Sequence, residues 1–239
     1  MISVCLTTYN GAKFLTQQLD SILSQLGAND EVIISDDGST DETLLIIKNY
    51  SDTRIKLLHH KPQSGKYRFS LTTNNFQNAL QNAKGNYIFF ADQDDIWKEN
   101  KVEECVKLLQ QGYDLVLHDT DIIDENNHII SKSYFEINNS KLGIVRNILN
   151  NSYLGCCMAL NKKFLNKILP FPSVPVPHDI WVGILYEYFG NVILTEQKLL
   201  SYRRHGENVS PSGEKSKNSI IFKLKYRANF IIAFLKRII

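Results

Sequence analysis

The sequence predicts an α/β fold with a mostly parallel central sheet and helices on both faces. Two observations carry that prediction: apolar runs that read as buried strands alternate with segments of helical period, and polar clusters recur where the runs end. ISVCLTTY (2–9) reads as the first strand, and GAKFLTQQLDSILSQL as a helix with Phe14, Leu15, Leu19, Ile22 and Leu23 at helical spacing. EVIISDD is the second strand; Ser39-Thr40-Asp41 then supplies helix-start chemistry ahead of ETLLIIKNY. RIKLLHH is a third strand, followed by a polar loop and the helical LTTNNFQNALQNA. NYIFF is the fourth strand, KENKVEECVKLLQQ a helix and DLVLHD the fifth strand, while residues 119–150 read as loop-rich. YLGCCMAL is expected as a strand and KKFLNKIL as a helix before the proline-rich PFPSVPVP. His178-Asp179 opens the amphipathic helix of IWVGILYEYFG, and NVILTE and KLLSYRR are two short strands.

At 239 residues the chain is one large domain with an appendage, read as residues 1–212 and a basic tail, 213–239. Cys5 and Cys105 stand alone and Cys156-Cys157 are adjacent, so there is no C-x-x-C metal or redox pattern and the thiols read as small apolar fillers. No basic n-region and no long apolar run opens the chain, which gives no secretory signal and a cytoplasmic default. No run of about 18 apolar residues suggests a spanning helix. The net charge of +2 conceals an asymmetry: Lys215, Lys217, Lys223, Lys225, Arg227, Lys236 and Arg237 follow one another without an acid. Removing those seven from 27 basic residues leaves 20 against 25 acids in residues 1–214, so the chain is acidic up to there and basic from Lys215 to Ile239. Positive charge confined to a tail argues against a nucleic-acid role.

In sheets of this kind ligands bind outside the carboxyl ends of the strands. Thr7-Thr8-Tyr9-Asn10 ends strand one, Asp36-Asp37 strand two, and Asp92-Gln93-Asp94-Asp95 strand four, so three segments deliver side chains to one rim. Carboxylates this close repel one another unless a cation is shared, and Mg²⁺ or Mn²⁺ commonly joins one or two carboxylates to substrate phosphates. A second D-x-D, Asp119-Thr120-Asp121, follows strand five and is expected only to line the rim. Tyr9 can stack on a base and Asp37 can accept the ring N–H of a uracil or thymine. Asp179 is either a helix-start acid or a general base. His205 in YRRHGENVS binds a cation or diphosphate, or is a surface histidine. Two enzyme classes are disfavoured: a D-x-D-G-T phosphatase needs its nucleophilic aspartate where Ser35 stands, and a nucleotidyltransferase needs a Gly-rich, Arg-containing loop that LTTYNGAKF does not supply.

Seven stretches together, SVCLTTYNG, ISDDGSTDET, NNFQNAL, GNYIFFADQDDIWKENKVE, LHDTDIID, PHDIWVGI and YRRHGENVS, resemble family 2 glycosyltransferases of the GT-A (nucleotide-diphospho-sugar transferase) fold, in family order from residue 3 to 210. The likeness is to bacterial O-antigen and capsule enzymes of rhamnosyl- or galactosyltransferase type. It implies that Thr7 and Tyr9 hold base and ribose, Asp37 reads the pyrimidine, Asp92 lies near the ribose and Asn75 flanks the nucleotide. It implies Asp94 as a ligand of Mn²⁺ or Mg²⁺, His205 near metal and diphosphate, and Asp179 as catalytic base, where many relatives have Glu-Asp and this chain has His-Asp. The Q-x-x-R-W of processive synthases is absent, which favours transfer of a single sugar.

The implied reaction is an inverting transfer from a UDP- or dTDP-sugar to a hydroxyl of a glycan acceptor, commonly polyprenyl-diphosphate-linked in such pathways. The other reading is a catalytically silent sugar-nucleotide-binding module, which would lack a base. The basic, apolar tail SIIFKLKYRANFIIAFLKRII suggests peripheral contact with the inner face of the cytoplasmic membrane, or packing on the domain.

Overall fold

A computed structural model describes residues 1–61, 68–206, 208 and 220–239. The polar loop after the third strand, part of YRRHGENVS, the expected boundary at 212 and 213, and Lys215 and Lys217 fall outside the described residues.

β1 (Ile2–Thr8) is buried along its whole length and lies between β2 (Glu31–Asp36) and β4 (Tyr87–Asp92), parallel to both. A strand flanked on both edges and both faces has no polar side to present, which is why ISVCL carries no alternation. β3 (Ile55–His59) closes that edge in parallel register with β2. Beyond β4 the sheet continues through β8 (Met158–Asn161), β6 (Leu115–Ile123), β9 (Val192–Arg203) and β5 (Ile96–Trp97), with β7 (Ile129–Ser131) on β6. β8 is antiparallel to both β4 and β6, so β6 regains the direction of the first four strands and β9 follows it.

α1 (Ala12–Leu23) turns Leu15, Leu19 and Ile22 inward, and α4 (Lys101–Gln110) does the same with Val102, Cys105 and Leu109. α2 (Thr43–Asn49) packs on α1, and Gln25 Oε1 accepts the Val102 N–H, joining α1 to α4. α3 (Arg68–Asn82) packs on β1 and β2, with Phe76 edge-on to Phe90 of β4 at 5.2 Å. α8 (His178–Phe189) meets α3, α6 (Ile144–Leu149) and α7 (Leu165–Ile168).

The structure departs from the expected elements in four places. The fifth strand is longer, so Asp119-Thr120-Asp121 lies inside β6 and not after it. Residues read as loop contain β7, α5 (Tyr134–Asn138) and α6, short elements whose weak periodicity a sequence window averages away. YLGCCMAL is not one strand: a 3₁₀ turn at Gly155–Cys157 precedes β8, bringing Cys156 and Cys157 under the rim. NVILTE and KLLSYRR are one bulged strand, β9, because β6 continues alongside to pair with both halves. Within the tail, α9 (Ile220–Ile238) buries Phe230, Ala233 and Phe234 against the domain core, Phe230 edge-on to Trp181 at 6.0 Å. Each buried phenylalanine contributes about 1.5–3 kcal/mol. All four cysteines are buried and unpaired.

Gly183 on α8 faces the ring of Tyr153, which a Cβ would meet at 2.4 Å. The hydroxyl of that ring donates to Glu187 Oε1 at 2.5 Å, so the ring is fixed and has no direction in which to yield. Gly183→Ala is therefore expected to destabilise by about 1–3 kcal/mol despite alanine's better helix propensity. Urea denaturation checks this; a higher midpoint for the alanine variant would refute the packing argument.

Candidate active site

Strand register assembles the rim. Thr7 of β1 is opposite Asp92 of β4, and Thr8 is opposite Asp36 of β2, so the carboxyl ends of three adjacent strands meet. Asp36 shapes this edge: its carboxylate accepts from Thr8 Oγ1 at 2.7 Å, Ser39 Oγ at 2.6 Å and the N–H groups of Gly38 and Ser39. Gly38 takes φ +81°, a conformation that favours glycine, and the turn leaves Asp37 at the rim. Asp37 Oδ1 lies 2.5 Å from His60 Nδ1 at the end of β3. Burial raises the Asp37 carboxyl and the contact with His60 opposes that rise. Tyr9 is 58% exposed, with its backbone fixed on both sides by Gln93, which accepts the Tyr9 N–H at 2.8 Å and donates to the Tyr9 carbonyl at 3.0 Å. Asn75 is buried beneath, its amide donating to the Thr8 carbonyl at 3.3 Å.

The loop after β4 is organised by Arg203, which the sequence reading left without a role. Its Nε donates to the Asp94 carbonyl at 2.7 Å, and its backbone N–H to Asp95 Oδ1 at 3.0 Å. The guanidinium also donates to Asn127 Oδ1 and Gln17 Oε1, and lies 4.6 Å from the Phe14 ring centre. Arg203 and Asp95 are fully buried, so the middle of the acid cluster is structural. Lys101, also buried, donates to the Cys156 carbonyl at 2.6 Å and stands over the Trp97 ring. With Asp95 tied down, the Asp94 side chain meets His205, Oδ2 to Nε2 at 2.8 Å, and Asn208 Nδ2 at 3.3 Å. Burial and the charges of Asp94 and Asp179 push the Asp92 carboxyl up to about 7.

Asp179 lies in the first turn of α8, with Pro177 in the N-cap position. Its Oδ1 accepts the Ile180 N–H at 2.8 Å and its Oδ2 accepts from Asn151 Nδ2 at 3.1 Å. Burial raises its carboxyl to about 6. Neighbouring His178 is held down to about 3 by burial and stacks on Phe76 at 4.1 Å, so it is a neutral packing ring. The second D-x-D is structural: Asp119 accepts from Ser133 Oγ at 2.6 Å and the Phe135 N–H at 2.9 Å, fixing the start of α5, and Asp121 pairs with Lys98. A separate surface hollow between Tyr113, Leu142, Glu187 and Val192 lies by the opposite end of β6 and shares no residue with the rim.

Among the described residues, two donor sets could hold a divalent cation. Asp92, Asp95 and Cys156 place ligand atoms within 4.8 Å of one another, but burial raises both the Cys156 thiol and the Asp95 carboxyl well above their ordinary values. Neutral groups suit a hard cation poorly. Asp94 and His205 offer a carboxylate oxygen and an imidazole nitrogen already converging at the rim, and these fit Mn²⁺ or Mg²⁺.

The architecture is that of GT-A glycosyltransferases. It superposes on Staphylococcus aureus TarS 1-349 in complex with UDP-GlcNAc with a TM-score of 0.66 and 19% identity, over 96% of this chain and 71% of that one. The mannosyltransferase PcManGT from Pyrobaculum calidifontis, in complex with GDP-Man and Mn²⁺, gives a TM-score of 0.61 and 18% identity over 87% of this chain and 58% of that one. The family described as glycosyl transferase family 2 matches residues 3–169, and the chain belongs to it. It is 31% identical over 192 residues to the Escherichia coli UDP-Glc:alpha-D-GlcNAc-diphosphoundecaprenol beta-1,3-glucosyltransferase WfgD, covering 77% of this chain and 70% of that protein. The expected family, fold and enzyme class are thus borne out: the protein is a glycosyltransferase.

Because the Arg203 guanidinium is the buried donor to three backbone carbonyls and to Asn127 Oδ1 and Gln17 Oε1, its loss leaves those oxygens without it. Arg203→Met is expected to cost about 3–5 kcal/mol, read as a lowered urea midpoint. A loss below about 1 kcal/mol would show that the loop holds itself.

Proposed function

We propose that the protein transfers one sugar, with inversion, from a UDP- or dTDP-sugar to a hydroxyl of a polyprenyl-diphosphate-linked glycan in surface polysaccharide synthesis. The observation that carries this reading is Asp179: a buried carboxyl raised to about 6, close enough to Asp92 for its charge to be felt there, beside the Asp94–His205 pair. A base of that strength is ionised at neutral pH and still able to take a proton. The lipid-linked acceptor and UDP-glucose donor in the name of WfgD and the UDP-GlcNAc of the TarS complex support the substrate class. Such an acceptor puts the reaction at the inner face of the cytoplasmic membrane.

In this reading Tyr9 stacks on the base, Asp37 accepts the ring N–H, and Thr7, Asn75 and Asp92 line the nucleotide. Asp179 takes the proton of the acceptor hydroxyl as its oxygen bonds to the anomeric carbon. The bond to the diphosphate breaks on the opposite face, and no covalent enzyme intermediate forms. Mn²⁺ or Mg²⁺ held by Asp94 and His205 would supply positive charge for the departing nucleoside diphosphate.

Calorimetric titration with UDP and dTDP, in Mn²⁺ and again in EDTA, tests the donor side: binding is expected for one or both and is expected to weaken without metal. Equal affinity in EDTA would remove Asp94 and His205 from the ligand set. Asp179→Asn should abolish transfer while UDP affinity stays within about twofold; unchanged turnover would end its assignment as base. Since only the carboxylate accepts a proton, kcat should fall about tenfold per pH unit below about 6 and level off above it. A flat profile through that range would place the base elsewhere. His60→Ala, which frees the Asp37 carboxylate to turn, should raise the UDP Kd about tenfold; an unchanged Kd would mean Asp37 needs no support.

A further inference from the structure

The charge asymmetry of the chain acquires a shape in three dimensions. From Ile137 to His178 there is no acid, while Lys141, Arg146, Lys162, Lys163 and Lys167 are present. α9 likewise has no acid and carries Lys223, Lys225, Arg227, Lys236 and Arg237. The two segments are adjacent in space. Arg227 donates to the Ile148 and Leu149 carbonyls at the end of α6, and Arg237 to the Lys167, Leu169 and Pro170 carbonyls around the end of α7. Lys163 lies 3.4 Å from Asp114. The acids of α8, on which α9 packs, are engaged within the domain: Asp179 accepts from Ile180 N and Asn151, and Glu187 from Tyr153 Oη and Gly143 N.

Two faces of α9 are apolar, and the domain covers one of them. Phe230, Ala233 and Phe234 are buried, whereas Leu224, Ala228, Ile231, Ile232, Leu235 and Ile239 are exposed along the other side, flanked by exposed Lys225 and Lys236. α6, whose end Arg227 ties to α9, adds Val145, 73% exposed, and Leu149, 59% exposed. No described helix is long and apolar enough to cross a membrane. Apolar residues bordered by lysines, without an acid, complement a surface with an apolar interior and anionic headgroups. A second copy of the same face would instead bring the lysines of both copies together.

We propose that the outer face of α9, with Val145 and Leu149 of α6, docks on an anionic lipid bilayer. The docking face adjoins the base. Tyr226 of α9 stacks with Phe222 at 6.4 Å and meets Phe69 of α3 edge-on at 6.3 Å, and the Asp179 charge helps burial to raise its phenol. Docked this way, the chain lies with the Asp179 side of the rim next to the headgroups, where the hydroxyl of a lipid-linked acceptor would be. The acceptor part of this inference rests on the glycosyl-transfer reading; lipid docking itself does not.

The test is flotation of the full chain with vesicles of phosphatidylcholine alone and of phosphatidylcholine mixed with phosphatidylglycerol. Binding is expected to the mixed vesicles, weak to the neutral ones, and diminished by salt. Lys225→Gln and Lys236→Gln should each weaken it about fivefold, and Ile232→Ser with Leu235→Ser should abolish it. UDP titration of the same variants reports whether they remain folded, with Kd expected unchanged. No binding to the mixed vesicles, equal binding to both kinds, or variants that float as well as the parent would overturn the proposal. So would sedimentation showing a dimer that the Ile232 and Leu235 substitutions disperse, which would make the face a self-association surface. If the parent floats but binds no nucleotide, the site reading fails and the docking face stands.

Discussion

The arrangement of the rim depends on a buried guanidinium. Arg203 ends β9, a strand whose pairing with β6 fixes where its backbone runs, and from there it reaches the loop after β4, the segment around Asn127 and Gln17 of α1. A buried charge is tolerated only when its donors are satisfied, so the partners have little freedom once Arg203 is in place. The Asp94 carbonyl is one of those partners, which turns the Asp94 carboxylate toward His205. His205 in turn packs on Phe14, the ring over which the guanidinium lies. Strand pairing, loop position and the carboxylate–imidazole pair are one connected constraint.

The same residue type has two kinds of work at this rim, divided by what surrounds it. Asp36 and Asp119 have both oxygens engaged by nearby hydroxyls and N–H groups, Asp95 has one held by the Arg203 N–H, and they shape turns. Asp37, Asp94 and Asp179 each keep a carboxylate with one or two side-chain partners and reach toward the strand ends. Burial raises Asp92 and Asp179, and the Asp179 charge raises Asp92 further. Crowding of acids, which the sequence explains by a cation, is therefore relieved partly from within, by Arg203 beside Asp95 and by protonation of buried carboxyls. The metal reading accounts for Asp94 and His205; it does not have to account for every acid in the cluster.

Charge is also segregated on a larger scale. Acids gather at the carboxyl ends of β2, β4 and β6, and acid-free segments form α6, α7 and α9. The tail treated in the sequence as a separate electrostatic object joins the body through Phe230, Phe234 and the Arg227 and Arg237 clamps, so its charge adds to that of α6 and α7.

The sequence by itself determined the alternation of strands and helices, the positions of the strand ends and the family, because burial on both faces writes continuous apolar runs and glycosyl transferase motifs are local. It placed Tyr9, Asp37, Asp92 and Asp94 on one rim because parallel register carries that information in chain order. It set Asp119 and Asp121 apart from the first D-x-D but put them after strand five and not inside it, since whether a strand stops at His118 or runs to Ile123 depends on β9 pairing alongside. Nor could it find Arg203, His60 or Asn151, whose partners lie 23 to 186 residues away and become neighbours only when the sheet closes. Tertiary structure decided which acids are tied down and which remain available, because a carboxylate's chemistry is set by the donors and the dielectric around it, and those come from distant parts of the chain.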